Sequence, residues 1–122
     1  MSNTQHAYLA FDMGAESGRA VLGRLQAGNL TTEELHRFAN EPVQYNGELH
    51  WDVPRLWLEI QKGLALAAST AGMRLSGIGL DAWGVDYALL GENGALLGDP
   101  FHYRDSRTSG VIERVCAVVS RE

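Results

Sequence analysis

The chain reads as an α/β fold built on a mixed sheet, and three observations predict it. Three strand-like segments separated by turn residues open the sequence, at residues 7–12, 19–25 and 30–38. An amphipathic helical segment follows, starting at Asp52-Val53-Pro54 and ending at Gly72. A further apolar strand over residues 75–81 comes directly after it. Antiparallel strands, then a helix, then another strand is the order of a sheet closed by a crossover helix.

Each element has a local reason. Residues 7–12 are apolar on both faces, as expected of a central strand, until Asp12 ends the run with a charge. Residues 19–25 return after a glycine-bracketed turn, and Gly28-Asn29 marks the next reversal. The segment 30–38 has two readings. Thr31-Thr32-Glu33-Glu34 resembles a helix capping box, with Leu35 and Phe38 at helical spacing. A third antiparallel strand is the simpler arrangement, and strand is the expectation.

Gly47 predicts a turn between Gln44-Tyr45 and Leu49-His50-Trp51. In the helix, Asp52 complements the positive end and Pro54 suits the first turn. Leu56, Ile60, Leu64 and Ala68 form the predicted apolar stripe, widened by Trp57, with Arg55, Glu59 and Lys62 facing out. Gly77 and Gly79 lie two apart in the next strand, which predicts a close neighbour on that face. Residues 83–90 are expected to lead into another strand, turned back at Glu92-Asn93-Gly94. Phe101-His102-Tyr103 should be extended, Arg104, Asp105 and Arg107 should form a structural ion-pair loop, and a last helix is expected from Thr108 onward.

Composition bounds the function classes. The chain has 122 residues, room for one domain at most, and its 45% apolar and 20% charged content is that of a globular protein. A net charge of −5 without a Lys/Arg cluster argues against a nucleic acid partner. No apolar run approaches membrane-spanning length, so no membrane association is expected. Cys116 is the single cysteine and excludes an internal disulfide. With a polar, uncharged start, this predicts a cytoplasmic location.

The most informative segment is Asp12-Met13-Gly14-Ala15-Glu16-Ser17-Gly18-Arg19. A carboxylate at the end of a core strand needs a cation or donors to satisfy it. Gly14 and Gly18 are expected to free the backbone to turn, so that successive amides can converge on an anion. Ser17 adds a hydroxyl, and Arg19 a guanidinium suited to phosphate oxygens. The spacing matches neither a P-loop, which needs a Lys after its last glycine, nor a dinucleotide fingerprint. A ligand-free hairpin turn remains the competing reading. The second carboxylate, Asp81, ends the strand after the helix. In ribonuclease-H-like and actin-like ATPase domains, which share this element order, Asp12 and Asp81 would end neighbouring strands. Such a pair can share a divalent metal or serve only in local hydrogen bonds.

The same segment resembles the first phosphate-binding motif of the FGGY carbohydrate kinases, in the variant with alanine after the glycine that rhamnulokinases carry. Ile78-Gly79-Leu80-Asp81-Ala82-Trp83-Gly84-Val85-Asp86, His50-Trp51-Asp52-Val53 and Tyr103-Arg104-Asp105-Ser106-Arg107-Thr108 agree, as does His36-Arg37-Phe38. The resemblance runs from about Leu9 to Thr108. It implies transfer of the ATP γ-phosphate to the primary hydroxyl of L-rhamnulose with Mg²⁺. It implies that Ala15, Glu16, Ser17, Gly18 and Arg19 contact ATP, that Asp12 is the metal-associated aspartate, and that Gly84 and, beside it, Asp86 meet the sugar. Trp83 could wall the sugar, whereas Trp51 is expected in the core.

These kinases have two ribonuclease-H-like domains, and the resemblance implies that residues 1–122 form the N-terminal part of the first. The catalytic aspartate, second phosphate motif and adenosine pocket lie in the later part of such kinases. The isolated chain is therefore expected to be inactive and to self-associate through apolar surface left without a partner. Alternatives are another sugar kinase of the fold, xylulokinase- or fuculokinase-like, and a ribonuclease-H-like nuclease using Asp12 and Asp81.

Overall fold

Strand propensity and turn chemistry produce most of what the computed structural model contains; it describes residues 5–72 and 74–119. The chain divides into two compact units, one of Met1–Glu41 with Val53–Gly84, the other of Pro42–Asp52 with Val85–Glu122.

The first unit holds a four-stranded sheet of order β3-β2-β1-β6. Strands β1 (Gln5–Met13), β2 (Ser17–Gln26) and β3 (Asn29–Ala39) are antiparallel neighbours, and β6 (Leu75–Ala82) runs parallel to β1. The β2–β3 hairpin turns through Ala27 and Gly28, both at positive φ (49° and 83°), a two-residue turn whose twist matches the strands. The segment 30–38 is strand, and the helical reading fails. Opposite β2, the register shifts between Ala20 and Val21, leaving Leu35 as an extra residue. That bulge lets Leu35 join the core while its neighbour His36 also faces the helix.

Helix α1 (Val53–Thr70) packs over β3, β2 and β1. Beneath it Ala7, Leu9, Phe11 and Met13 of β1 and Ala20 and Leu22 of β2 are buried. The expectation of a β1 covered on both faces is corrected: Tyr8 and Ala10, on the opposite face, are exposed, because one helix covers one face only. Two details of the helix differ from expectation as well. Ala67, not Ala68, is buried, together with Leu56 and Gly63. A helical repeat of 3.6 drifts off a strict four-residue spacing within three turns. Glu59 does not face out; its carboxylate lies 2.6 Å from His36 Nε2 and 2.8 Å from Lys62 Nζ. Those two partners, Lys62 first, hold the Glu59 carboxyl below its usual range. Gly63 lets helix and sheet approach, since a Cβ there would sit 2.6 Å from the Phe11 ring and 2.8 Å from Ala20 Cβ.

Among the described residues strand β6 pairs with β1 alone. Its register sets Ile78 beside Leu9 and Leu80 beside Phe11, on the helix side of the sheet, yet both are more than half exposed. The expected close neighbour at the glycines is only partly present. A Cβ on Gly77 would meet Tyr8 at 3.4 Å, while Gly79 has nothing within 4 Å.

In the second unit, β4 (Val43–Tyr45) and β5 (Glu48–His50) form a hairpin through Asn46 and Gly47, both at positive φ. His50 bridges to Phe101. The strand expected within residues 83–90 is absent among the described residues. Only Leu90 bridges to Leu96 around a tight turn, and Tyr87 and Leu89 stay about two-thirds exposed, since a β-segment without a ladder partner does not persist. The polar loop forms around buried Asp105, but backbone donors rather than the expected ion pairs hold it: Arg107 Nε stands 3.6 Å from Asp105 Oδ1, and Arg104 lies over the Tyr103 ring. The Asp105 carboxylate accepts the Leu49 amide at 2.7 Å and the Arg107 amide at 2.9 Å, capping a 3₁₀ turn at Ser106–Thr108. Arg107 lies 3.8 Å above the Phe101 ring. The last helix is shorter than expected: α2 spans Val111–Cys116, with Val118 and Val119 past its end. The expected continuation through residues 120–122 lies outside the described residues.

Candidate nucleotide and sugar site

The bend at residues 14–16 joins β1 to β2, so the strand pairing sets its geometry. Asp12 and Arg19 are directly opposed across the ladder. Arg19 Nε and Nη2 donate to the same oxygen, Asp12 Oδ2, at 2.9 and 2.6 Å. Both side chains are nearly half exposed, so the pair contributes at most about 1 kcal/mol. Both bonds go to Oδ2, which leaves Oδ1 outside the pair. Arg37, the cross-strand partner of Arg19 on β3, is held by Glu34 through two hydrogen bonds and donates to Ser17 Oγ at 3.4 Å. Hydrogen bonding to Arg37 holds the Glu34 carboxyl below its usual range and raises Arg37 in turn.

Two glycines serve the bend differently from the expectation. Neither Gly14 nor Gly18 is at positive φ. Gly18 sits inside β2, where a Cβ would lie 2.2 Å from Phe38 Cζ, and Gly14 where a Cβ would lie 2.9 Å from Ser17 O. Both positions require closeness rather than unusual dihedrals. The Gly14 amide donates to Ser17 O at 3.0 Å, while among the described residues the Ala15 and Glu16 amides make no backbone hydrogen bond outside the strand ladders.

Sequence reasoning passed over Asn40, just past β3. Its amide donates to Glu16 O at 2.9 Å and its side-chain Nδ2 to Gly14 O at 2.7 Å. The residue is fully buried, and no donor among the described residues reaches its Oδ1. An unpaired buried acceptor costs about 1–3 kcal/mol, which the bonds to the bend offset. A polar residue following a strand carries no sequence signal of this kind. Arg37 stood in the family-like His36-Arg37-Phe38 and Glu34 in a capping-box pattern, but neither signal pointed to the pair they form beside Ser17.

Asp81 stands next to Asp12 in the β1–β6 register, so the two carboxylates do end neighbouring strands. Among the described residues no group of three or more His, Cys, Asp or Glu could hold a metal. Mg²⁺ ordinarily takes one or two carboxylates and fills its sphere with water and phosphate oxygens, so Asp12, with Asp81 adjacent, fits that donor set. Gly84 closes the first unit, and a Cβ there would meet nothing within 4 Å. Asp86 belongs to the second unit, where its Oδ2 accepts from the indole of buried Trp51. Trp51 also packs on His102, 4.1 Å between ring centroids, and burial pushes the His102 imidazole below its usual range. Trp83 packs against the core of the first unit. It lines an open apolar groove there with Met13, Leu56, Trp57, Ile60 and Leu80.

A mixed sheet with a crossover helix is the architecture of actin-like ATPase domains, and solved structures share this fold. The chain superposes on a gluconate kinase from Lactobacillus acidophilus with a TM-score of 0.74 at 14% identity, over 94% of this chain and 23% of that one. A xylulose kinase from the same organism gives 0.73 at 14%, over 93% and 23%. A xylulose kinase from Rhodospirillum rubrum gives 0.70 at 20%, over 96% and 24%. In fold and in sequence the chain matches part of the FGGY carbohydrate kinases.

Within that family its sequence is similar to rhamnulokinases. It is 42% identical over 118 residues to the rhamnulokinase of Oceanobacillus iheyensis, covering 97% of this chain and 25% of that protein. Against that of Lactiplantibacillus plantarum it is 43% identical over 116 residues, 95% of this chain and 24% of the relative. No family model matches the chain. The chain spans about a quarter of the length of the curated relatives it matches.

Proposed function

We propose that the chain is the N-terminal, phosphate-gripping part of a kinase that transfers the ATP γ-phosphate to the primary hydroxyl of L-rhamnulose. The observation that carries this reading is the braced bend at residues 14–17 beside Asp12, in a sequence 42% identical to a rhamnulokinase. Residues 1–122 would form part of the first of two domains, in a cytoplasmic protein.

In this reading the Ala15 and Ser17 amides and the Ser17 hydroxyl bind phosphate oxygens, Glu16 and Gly18 shape the turn around them, and Arg19 adds a guanidinium after exchanging part of its pairing with Asp12. Asp12 would hold Mg²⁺, which supplies neutralisation of charge on the phosphates. Gly84 lets the ketose approach the backbone, and Asp86 accepts from a sugar hydroxyl. The chain supplies positioning for an in-line displacement, in which the sugar oxygen bonds to phosphorus as ADP leaves. Deprotonation of that hydroxyl falls to residues outside this chain.

Replacing the matching segment of the Oceanobacillus iheyensis rhamnulokinase with these 122 residues tests the proposal. The chimera is expected to phosphorylate L-rhamnulose in preference to D-xylulose and L-fuculose, and an Asp12→Ala chimera to lose activity. A soluble chimera that binds ATP but turns over none of the three ketoses would refute the sugar kinase reading. Preference for D-xylulose or L-fuculose would refute the substrate. The isolated chain is expected to show no turnover, and to self-associate through exposed Trp57, Ile78 and Leu80 in sedimentation.

A further inference from the structure

We propose that Asn40 is a positioning residue that holds the 14–17 bend in its anion-accepting form, a role that rests on the phosphate reading of that bend. Two bonds carry the inference. Asn40 Nδ2 draws Gly14 O toward itself at 2.7 Å, and the Asn40 amide draws Glu16 O at 2.9 Å. In a planar trans peptide the C=O and the N–H of the next residue point in opposite directions. Fixing Gly14 O and Glu16 O on the Asn40 side therefore directs the amides of Ala15 and Ser17 away from it. Ser17 O, taken by the Gly14 amide, closes the bend from the β1 side. Alternate carbonyls are thus tied down behind the bend, leaving alternate amides to face outward as donors.

The attachment is rigid. Asn40 is fully buried, at the end of a strand whose Phe38 packs against Gly18 in the same bend. Strand β3 thus reaches across β2 and grips the bend at Gly14, Glu16 and Gly18. Asn40 would touch neither phosphate nor metal, acting only through the peptide planes it orients.

The test is tripolyphosphate titration of the 122-residue chain and two variants, Asn40→Ala and Asn40→Asp, followed by amide NMR. In the parent, the Ala15 and Ser17 amides should shift on titration. Both variants should bind about tenfold more weakly at pH 7.5, the scale of one buried hydrogen bond lost. The aspartate variant separates positioning from general damage. A buried carboxyl is pushed toward its protonated form, and a protonated Asp side chain can donate to Gly14 O as the amide did. Its binding should therefore recover toward the parent's at pH 5.5, whereas the alanine variant stays weak. The parent measured at each pH controls for Asp12, Glu16 and the anion itself.

Variants that bind as the parent does would overturn the proposal, as would an aspartate variant equally weak at both pH values. Should Asn40→Ala fail to fold, the aspartate variant across pH decides alone. A parent that shows no response to tripolyphosphate at Ala15 and Ser17 defeats the phosphate reading itself. The amide shifts of residues 14–17 in unliganded Asn40→Ala then judge the clamp separately: changes confined to the bend uphold it, and an unchanged bend overturns it.

Discussion

Replacing Gly18 with alanine should force Phe38 out of its place, which separates a packing role for this glycine from a ligand-binding one. A Cβ at position 18 would stand 2.2, 2.4 and 3.0 Å from three carbons of the Phe38 ring. Contacts that short require the ring to shift by more than 1 Å, roughly, for carbon pairs that prefer about 3.5–4.0 Å. Phe38 is 8% exposed and part of the core, so the strain has little room to relax. Overpacking of this kind costs about 1–3 kcal/mol. With a urea slope of about 1–3 kcal/mol/M, the unfolding midpoint should fall by on the order of 1 M. Shortening the ring in a Gly18→Ala, Phe38→Leu double variant should restore part of the loss, giving a coupling of about 1 kcal/mol or more. If Gly18→Ala leaves the midpoint unchanged, or the two substitutions simply add, the packing argument is wrong.

Phe11→Ala should cost about 3–5 kcal/mol, because the ring is 2% exposed beneath Gly63, and thermal denaturation should show most of the chain unfolding early. The loop anchored by Asp105 should weaken at low pH. Backbone donors from Leu49 first and Arg107 second hold its carboxyl below the usual value of about 3.9, so its stabilisation is complete above that value and fades as pH falls through the lower folded one. Melting curves between pH 7 and 2 should therefore be flatter for Asp105→Asn than for the parent, and parallel curves would contradict the assignment.

Local chemistry made much of this molecule legible. A short apolar run specified β1, turn residues on either side marked β2 and favoured strand over helix for β3, and the α1 segment announced itself by helical spacing. The paired turns at Gly28 and Gly47 followed from residues that tolerate positive φ. Even the neighbourhood of Asp12 and Asp81 could be read, since a strand, a helix and another strand lead to parallel pairing. These features depend on backbone preferences acting within a few residues, and such preferences are written in the order of side chains. Tertiary packing decided the rest. It chose the covered face of β1, drew Glu59 to His36 across 23 positions, and gave Gly18 its reason in the ring of Phe38. It also brought Asn40 back to Gly14 over 26 positions. Residues 83–90, expected to lead into a strand, found no ladder among the described residues beyond the single Leu90–Leu96 bridge and stayed irregular. Contacts between distant parts of the chain depend on which surfaces meet, and no local pattern of residues encodes that meeting.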